Sequence, residues 1–336
     1  MVRVPSVTHR PRRACYAARR WGSDSVGLVG QATDERTGDA LISPLTAESG
    51  ARALSEACRG VGLDSTGAEL IRIGSNAVYR LQGRVIVRIA TSTAAAENAR
   101  KQVAVANWLA EHEYPAVRAL PVDQPVEVDG RVATFWESVS ERTLFASIGQ
   151  VADLIRRLHE LPPPTTLALP PTRPFEHAWD RLGQVVGLPE SDVEFMTERL
   201  RKLSNQYGSL EFALPPGPIH GDANVGNVIM DRDGRPVLSD LDGFATGPRE
   251  WDLVQTALFF ERFGWHTEEE YRTFVEVYGF DLLEWPGYAV LADAREVMMT
   301  LWLASTGNGG ERAVGESRKR IDAMRTGVSR RDWAPF

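Results

Sequence analysis

The sequence predicts an α+β chain in two lobes: a small antiparallel sheet with one long helix, then a larger, mostly helical part. Three observations lead there. Residues 70–89 hold three short apolar runs divided by turns that carry glycine, the pattern of neighbouring antiparallel strands. Residues 94–111 follow as one long stretch of helical character. Beyond residue 145, apolar positions recur at helical spacing, interrupted by a β-rich patch at 217–243.

Residues 47–60 open the regular structure as a helix, with Thr46 as N-cap and Gly60 as stop. Strands follow at 70–73, 77–81 and 85–89, turned by Gly74-Ser75-Asn76 and by Gly83. In the helix at 94–111 the apolar positions are Val103, Ala106, Leu109 and Ala110. Further strand signals lie at 117–122, 126–128 and 132–136, and an extended connector near 134–140 leads out of the first lobe. Residues 145–161 set Ile148, Val151, Leu154, Ile155 and Leu158 at helical spacing, and the cluster Pro162-Pro163-Pro164 ends that helix, because proline lacks the donor the next turn needs. Helices are then expected at about 190–207, 249–263, 267–278, 287–305 and 310–326. The chain divides accordingly into an N-terminal extension (1–45), a first lobe (46–136) and a second lobe (137–336).

Composition narrows the function. With 336 residues and 43% hydrophobic content, the chain can bury a large core without staples. A net charge of −7 disfavours a globally basic nucleic-acid binder. Two cysteines, Cys15 and Cys58, make neither a disulfide scaffold nor a four-thiolate metal site. No run approaches the ~18 apolar residues of a membrane span. The charge is uneven: residues 1–20 carry six arginines and no acid, so the remainder carries −13. The first 45 residues, with little apolar periodicity, are expected to be disordered. Arg12-Arg13 and Arg19-Arg20 look like twin-arginine pairs, but no apolar stretch follows either, so a cytoplasmic chain is expected.

The chemistry concentrates in residues 217–253 (GPIHGDANVGNVIMDRDGRPVLSDLDGFATGPREWDL). His220-Gly221-Asp222 is followed by Asn227, an apolar run at 228–230, a turn with Asp231, Asp233 and Gly234, and a second apolar run ending in Ser239-Asp240. A hairpin built from those runs brings its open ends together, Asn227 beginning one arm and Asp240 following the other. An amide oxygen and a carboxylate side by side are hard ligands of the kind Mg²⁺ takes, with water and phosphate completing the shell. Asp222, on the loop before them, is close enough to meet a hydroxyl there. That convergence points to phosphoryl transfer.

These residues resemble the aminoglycoside phosphotransferase family, antibiotic kinases related in fold to eukaryotic protein kinases. The motif H-G-D-x-x-x-x-N is met by His220, Gly221, Asp222 and Asn227. The family's metal-binding aspartate is matched by Asp240 in Ser239-Asp240-Leu241-Asp242, and its G-x-P-x-x-[YW]-D-L by Gly247, Pro248, Trp251, Asp252 and Leu253. The resemblance covers about residues 50–310 and implies a protein-kinase-like two-lobe fold with ATP or GTP as donor. It implies that Asp222 orients the acceptor hydroxyl and takes its proton, and that Asn227 and Asp240 hold Mg²⁺. His220 would brace the loop and Asp252 would support it from a helix start. Asp242 is either a metal or substrate contact or a surface turn.

The first lobe would bind the nucleotide. Gly74-Ser75-Asn76 is the candidate phosphate-covering turn. Arg88 falls where kinases place a phosphate-binding lysine, a departure from the common pattern. Its helix partner is either Gln102, which cannot make an ion pair, or Glu97, more than a turn away. The connector, with Trp136 and Ser138, would meet the purine edge; Trp136 is equally a core residue. The acceptor is a small hydroxyl-bearing molecule, an antibiotic or alternatively a metabolite such as an amino alcohol or sugar; no nucleic acid or membrane partner is expected. Residues 266–284 hold six acids against one arginine, which either recruit a cationic acceptor or serve the helix dipole. Trp265, Trp285 and Trp302 are candidate stacking surfaces, and Arg295 and Met298-Met299 share a helix that borders the acceptor region.

Overall fold

A computed structural model describes residues 45–74, 76–305 and 310–335. The predicted N-terminal extension, apart from Leu45, and Ser75 of the glycine turn lie outside the described residues. The first lobe is a five-stranded antiparallel sheet, β1 (Glu69–Ile73), β2 (Asn76–Leu81), β3 (Val85–Ala90), β4 (Val126–Val128) and β5 (Arg131–Glu137), in the order β1-β2-β3-β5-β4. Helix α1 (Ala47–Gly60) covers one face. Thr46 caps it as expected, its hydroxyl accepting from the Ser49 N–H; Gly60 stays inside the helix, and the chain leaves at Val61. Ala53, Leu54, Ala57 and Cys58 pack on Tyr79, Val87, Ile89 and Phe135, the set of alternate strand residues that points one way.

The opposite set carries the site. Arg88 stands opposite Val78 and Thr134, and Ile86 opposite Trp136. Helix α2 (Ala96–Glu111) lies beneath this face, burying Val105, Ala106, Trp108 and Leu109. Ala110, expected in that apolar face, is exposed instead, and Val103 is only half-buried.

Two expectations fail around the connector. Residues 117–122 form no strand among the described residues; the segment makes isolated contacts, its neighbour Ala116 pairing with Leu238 and Ala119 with Trp136. Pro121 lacks the donor that a ladder requires. Residues 134–137 are not a free connector but the second half of β5, paired with β3 through Val85–Glu137.

The second lobe is helical: α3 (Ile148–Glu160), α4 (Pro174–Leu182), α5 (Glu190–Gly208), α6 (Glu250–Glu261), α7 (Glu268–Tyr278), α8 (Tyr288–Ser305) and α9 (Gly310–Thr326). Helix α4 is absent from the expectation drawn from sequence, although Pro174 in its first turn is a start signal. Two small ribbons interrupt the helices, β6 (Gly217–Ile219) with β9 (Ala245–Gly247) and the hairpin β7 (Val228–Met230) with β8 (Pro236–Leu238). One apolar core unites α2 and Trp136 with α3, α6, α8 and these ribbons. Among the described residues, no helix is long and apolar enough to cross a membrane.

Candidate active site

The hairpin forms as the sequence requires. Val228 pairs with Leu238 and Met230 with Pro236, and Asp231 ties the turn by accepting the N–H groups of Asp233 and Arg235. At the open end, Ser239 donates its N–H (2.8 Å) and its hydroxyl (3.1 Å) to the Asn227 carbonyl. Asn227 and Asp240 are thereby fixed beside each other. The Asn227 amide donates to the Asp222 carbonyl at 2.8 Å and to Asp222 Oδ2 at 3.0 Å. Its Nδ2 is spent on Asp222, which leaves Oδ1 as the atom that could meet a cation. Asn224, a residue the sequence reading passes over, closes the loop by accepting from Gly226 and donating to the Asp222 carbonyl.

The loops bearing Asp222 and Asp240 meet backbone to backbone. Gly221 has φ +84°, and a Cβ there would stand 2.3 Å from the Gly243 carbonyl oxygen. Only glycine allows both the conformation and the approach. Asp240 itself sits in the left-handed region, φ 61° and ψ 68°.

The supports lie in α6 and α3. Asp252, fully buried in the first turn of α6, accepts the N–H of His220 and of Gly221, each at 2.7 Å, and meets His159 Nε2 at 3.1 Å. Burial pushes the Asp252 carboxyl up. The hydrogen bonds from His159 and from the His220 N–H outweigh that and hold it below the usual carboxylate range. His220 is buried. Its Nδ1 accepts the Asp222 N–H at 3.3 Å, so Nε2 carries the proton that it donates to the Ser239 carbonyl at 2.9 Å. His220 thus braces the two loops against each other. His159, itself oriented by the Tyr278 hydroxyl at 2.7 Å, is a supporting residue that sequence reasoning misses, and its only signal is an unremarkable helix position.

Across the cleft, Arg88 reaches Asp240 at 3.9 Å and lies over the Trp136 ring at 5.6 Å. The acid that meets Arg88 therefore comes from the second lobe, and not from Gln102 or Glu97. Glu97 is exposed. Helix α2 makes its own link one residue before Gln102, where Lys101 donates to the Asp242 carbonyl. Desolvation pushes the Asp242 carboxyl up, as does the Asp240 charge, against the pull of Arg88 and Lys101.

Two mutually repelling carboxylates and an amide oxygen form a donor set that suits a hard divalent cation. Among the described residues, no group of three or more His, Cys, Asp or Glu could hold a metal alone. A cation here would therefore need phosphate or water ligands as well, which is how Mg²⁺ is commonly bound.

The remaining candidates are placed as follows. Gly74 ends β1 and Asn76 begins β2, with Asn76 opposite Ala90, two residues or roughly 7 Å along the strand from Arg88. Trp136 is buried in the main core, its Nε1 donating to Thr134 Oγ1 at 2.8 Å. The Ser138 N–H is committed to the Arg84 carbonyl, whereas its carbonyl, accepting from Arg232 at 3.1 Å, keeps a second lone pair. Trp265 and Trp285 are packed among other rings, and Trp302 is exposed. Three of the six acids at 266–284 have local partners: Glu268 with Arg272, Glu270 with the Thr267 N–H, and Asp281 with Tyr271. Arg295 reaches Asp222 Oδ1 at 3.3 Å.

Comparison with known proteins places these features. A family model described as the phosphotransferase enzyme family (APH) matches residues 69–292. No curated protein matches the chain. Among solved structures, an amicoumacin kinase complex with AMP-PNP and Ca²⁺ is similar at TM-score 0.62 and 11% identity, covering 80% of this chain and 91% of that one. An aminoglycoside phosphotransferase, APH(3'')-Id from Streptomyces rimosus, is similar at TM-score 0.57 and 20% identity, covering 74% and 98%. The choline kinase LicA from Streptococcus pneumoniae is similar at TM-score 0.58 and 16% identity, covering 81% and 98%. At these identities the likenesses establish a shared fold.

Proposed function

Because the chain belongs to the aminoglycoside phosphotransferase family and is a phosphotransferase enzyme, we propose that it moves the γ-phosphoryl group of ATP or GTP onto a hydroxyl of a small antibiotic molecule. One observation carries this reading: Asn227 binds Asp222 Oδ2 at 3.0 Å while its carbonyl holds Ser239, the residue before Asp240. A single residue thus spaces an acceptor-facing carboxylate, through its amide, from a cation-binding one, through its backbone carbonyl.

In this reading the acceptor oxygen attacks the γ-phosphorus, the bond to the β–γ bridging oxygen breaks, and the nucleoside diphosphate leaves. The hydroxyl proton passes to the Asp222 carboxylate, which is about half-exposed while the loop behind it is buried. Asn227 and Asp240 would hold Mg²⁺, which when bound neutralises charge on the nucleotide phosphates. Arg88, on the sheet face above, supplies fixed positive charge to the same phosphates. The 74–76 turn would cover them, and the base would lie by Trp136 and Ser138. The two lobes act as nucleotide side (46–136) and acceptor side (137–336), within the cytoplasm.

The Asp222→Ala variant is expected to lose about 10³- to 10⁴-fold in turnover while binding nucleotide nearly as tightly as the parent. The test is a screen of aminoglycosides, spectinomycin, choline and ethanolamine with ATP and GTP, scored by a mass gain of one phosphoryl group. Transfer to no compound by the parent, or full turnover by Asp222→Ala, sinks the reading. Choline kinases among the similar structures favour a second reading, an amino alcohol as acceptor. The same screen separates the two.

A further inference from the structure

We propose that Arg295, on α8, is the positioning residue that fixes the Asp222 carboxylate for transfer. The inference rests on the reading of Asp222 as the acceptor-facing base. Arg295 is 73 residues away in sequence and belongs to none of the motifs that carry the family resemblance. In space its Nη2 lies 2.9 Å from the Gly221 carbonyl oxygen, 3.3 Å from Asp222 Oδ1 and 3.0 Å from Gln255 Oε1.

The placement is specific. The guanidinium lies over the Trp251 ring, 4.8 Å from its centroid, and Trp251 Nε1 itself donates to the Gly221 carbonyl at 3.1 Å. The Gly221 peptide is thus held on both sides: its N–H by Asp252, its carbonyl by Trp251 and Arg295 together. Arg295 is only 9% exposed. Burying a cation is costly unless it is paired. Here the compensation is the indole face, the amide oxygen of Gln255, a peptide carbonyl and the carboxylate of Asp222.

A terminal carboxylate torsion is broad when untethered. Asp222 is tethered at both oxygens, Oδ2 by the Asn227 amide and Oδ1 by Arg295, from opposite sides. Asn227 ties the carboxylate to the cation-binding hairpin, and Arg295 ties it to the helical lobe. Buried beneath the loop, the guanidinium acts through Asp222 and does not itself meet the acceptor. Orientation of this kind is worth a great deal, since a misplacement of about 1 Å can cost on the order of 10²-fold in rate.

The test needs no knowledge of the acceptor. Water serves as acceptor: its oxygen attacks the γ-phosphorus of MgATP, the β–γ bond breaks, ADP leaves, and the proton passes to Asp222, so phosphate release reports turnover. Arg295→Met is expected to lower kcat on the order of 10- to 100-fold, with the KM for MgATP unchanged within about twofold. Arg295→Lys keeps the charge but loses the planar guanidinium with its several donors, and is expected to recover part of that loss. The double variant Asp222→Asn/Arg295→Met is expected to be no slower than Asp222→Asn alone, because both changes remove one function. Thermal melting confirms folding; where Arg295→Met does not fold, Arg295→Lys carries the test, with an expected kcat loss of roughly 3- to 10-fold at constant KM. Unchanged kcat in a folded variant, a loss confined to the KM for MgATP, or additive losses in the double variant overturn the proposal. Normal turnover by Asp222→Asn overturns the reading of Asp222 as well. An inactive Asp222→Asn beside a fully active Arg295→Met removes the positioning role alone.

Discussion

Asp240 holds its carboxylate on a left-handed backbone, φ 61° and ψ 68°, where a residue with a Cβ is disfavoured by roughly 1–2 kcal/mol. The surroundings impose it. The chain must leave β8 beside Asn227 and then pass Gly221 at a distance that excludes a Cβ. Such strain is stored where a side chain has to face a particular way. Asp240→Ala is therefore expected to fold and to lose the divalent-cation dependence of nucleotide binding. A calorimetric titration of ATP with and without Mg²⁺ checks this, and unchanged Mg²⁺-dependent affinity refutes the metal role. Gly221→Ala tests the approach itself. Its Cβ would meet backbone at 2.3 Å, so one loop must move. We expect turnover to fall by more than about 10²-fold, with far-ultraviolet circular dichroism unchanged. Activity within a few-fold of the parent would show that the two loops are not held in contact.

At the scale of the element, α7 shows how capping chemistry accounts for acids that sequence alone offers as substrate recruiters. Thr267 accepts the Glu270 N–H at 3.1 Å, and Glu270 accepts the Thr267 N–H at 2.8 Å. Removing such a cap costs about 1 kcal/mol. His266, 3.8 Å away, and the Thr267 N–H hold the Glu270 carboxyl down at about 2, against the effect of burial. A depressed carboxylate stabilises the fold above its unfolded value and loses that contribution as pH falls through the folded one. The stability difference between the parent and Glu270→Gln should thus be full at pH 7 and shrink as pH falls from about 4.5 to about 2. Urea denaturation across that window measures it, and a difference that does not change with pH would remove the ionised cap. The same local logic explains what sequence revealed. The β7–β8 hairpin, the capped start of α1 and the proline stop of α3 are short-range patterns, each readable within about ten residues. The segment at 117–122 misled because its apolar alternation resembles a strand, while Pro121 and the lack of a continuous partner prevent one. His159 and Gln255 were illegible as site supports, and Arg295 was legible only as bordering the acceptor region, because their partners lie 93, 40 and 73 residues away. No periodicity encodes such a pairing.

At the scale of the molecule, the net charge of −7 combines unlike parts, a basic N-terminal stretch and an acidic remainder. In the proposed reading an acidic body favours a neutral or cationic acceptor over a polyanionic one, and Arg88 with a cation would make the local positive site for nucleotide. The two lobes are not independent bodies. Trp108 on α2 meets Phe244, four residues beyond Asp240, edge to face at 6.1 Å, and Arg88 and Lys101 both reach the 240–242 loop. Val105, Ala106, Trp108, Leu109 and Trp136 belong to the same buried cluster as the core of α3, α6 and α8. A core that crosses the cleft makes unfolding of one lobe expose apolar surface of the other. The parent chain is accordingly expected to melt in one transition. Trp108→Ala removes a buried side chain worth about 3–5 kcal/mol. At roughly 2–4 °C per kcal/mol for a large domain, the whole transition should move down by about 6–20 °C. Differential scanning calorimetry decides the matter. One peak that shifts intact means that the five-stranded sheet and the 220–227 loop share their stability. A split into two peaks, with only the smaller one displaced, would mean that the lobes fold separately and that Trp108 packs without joining them.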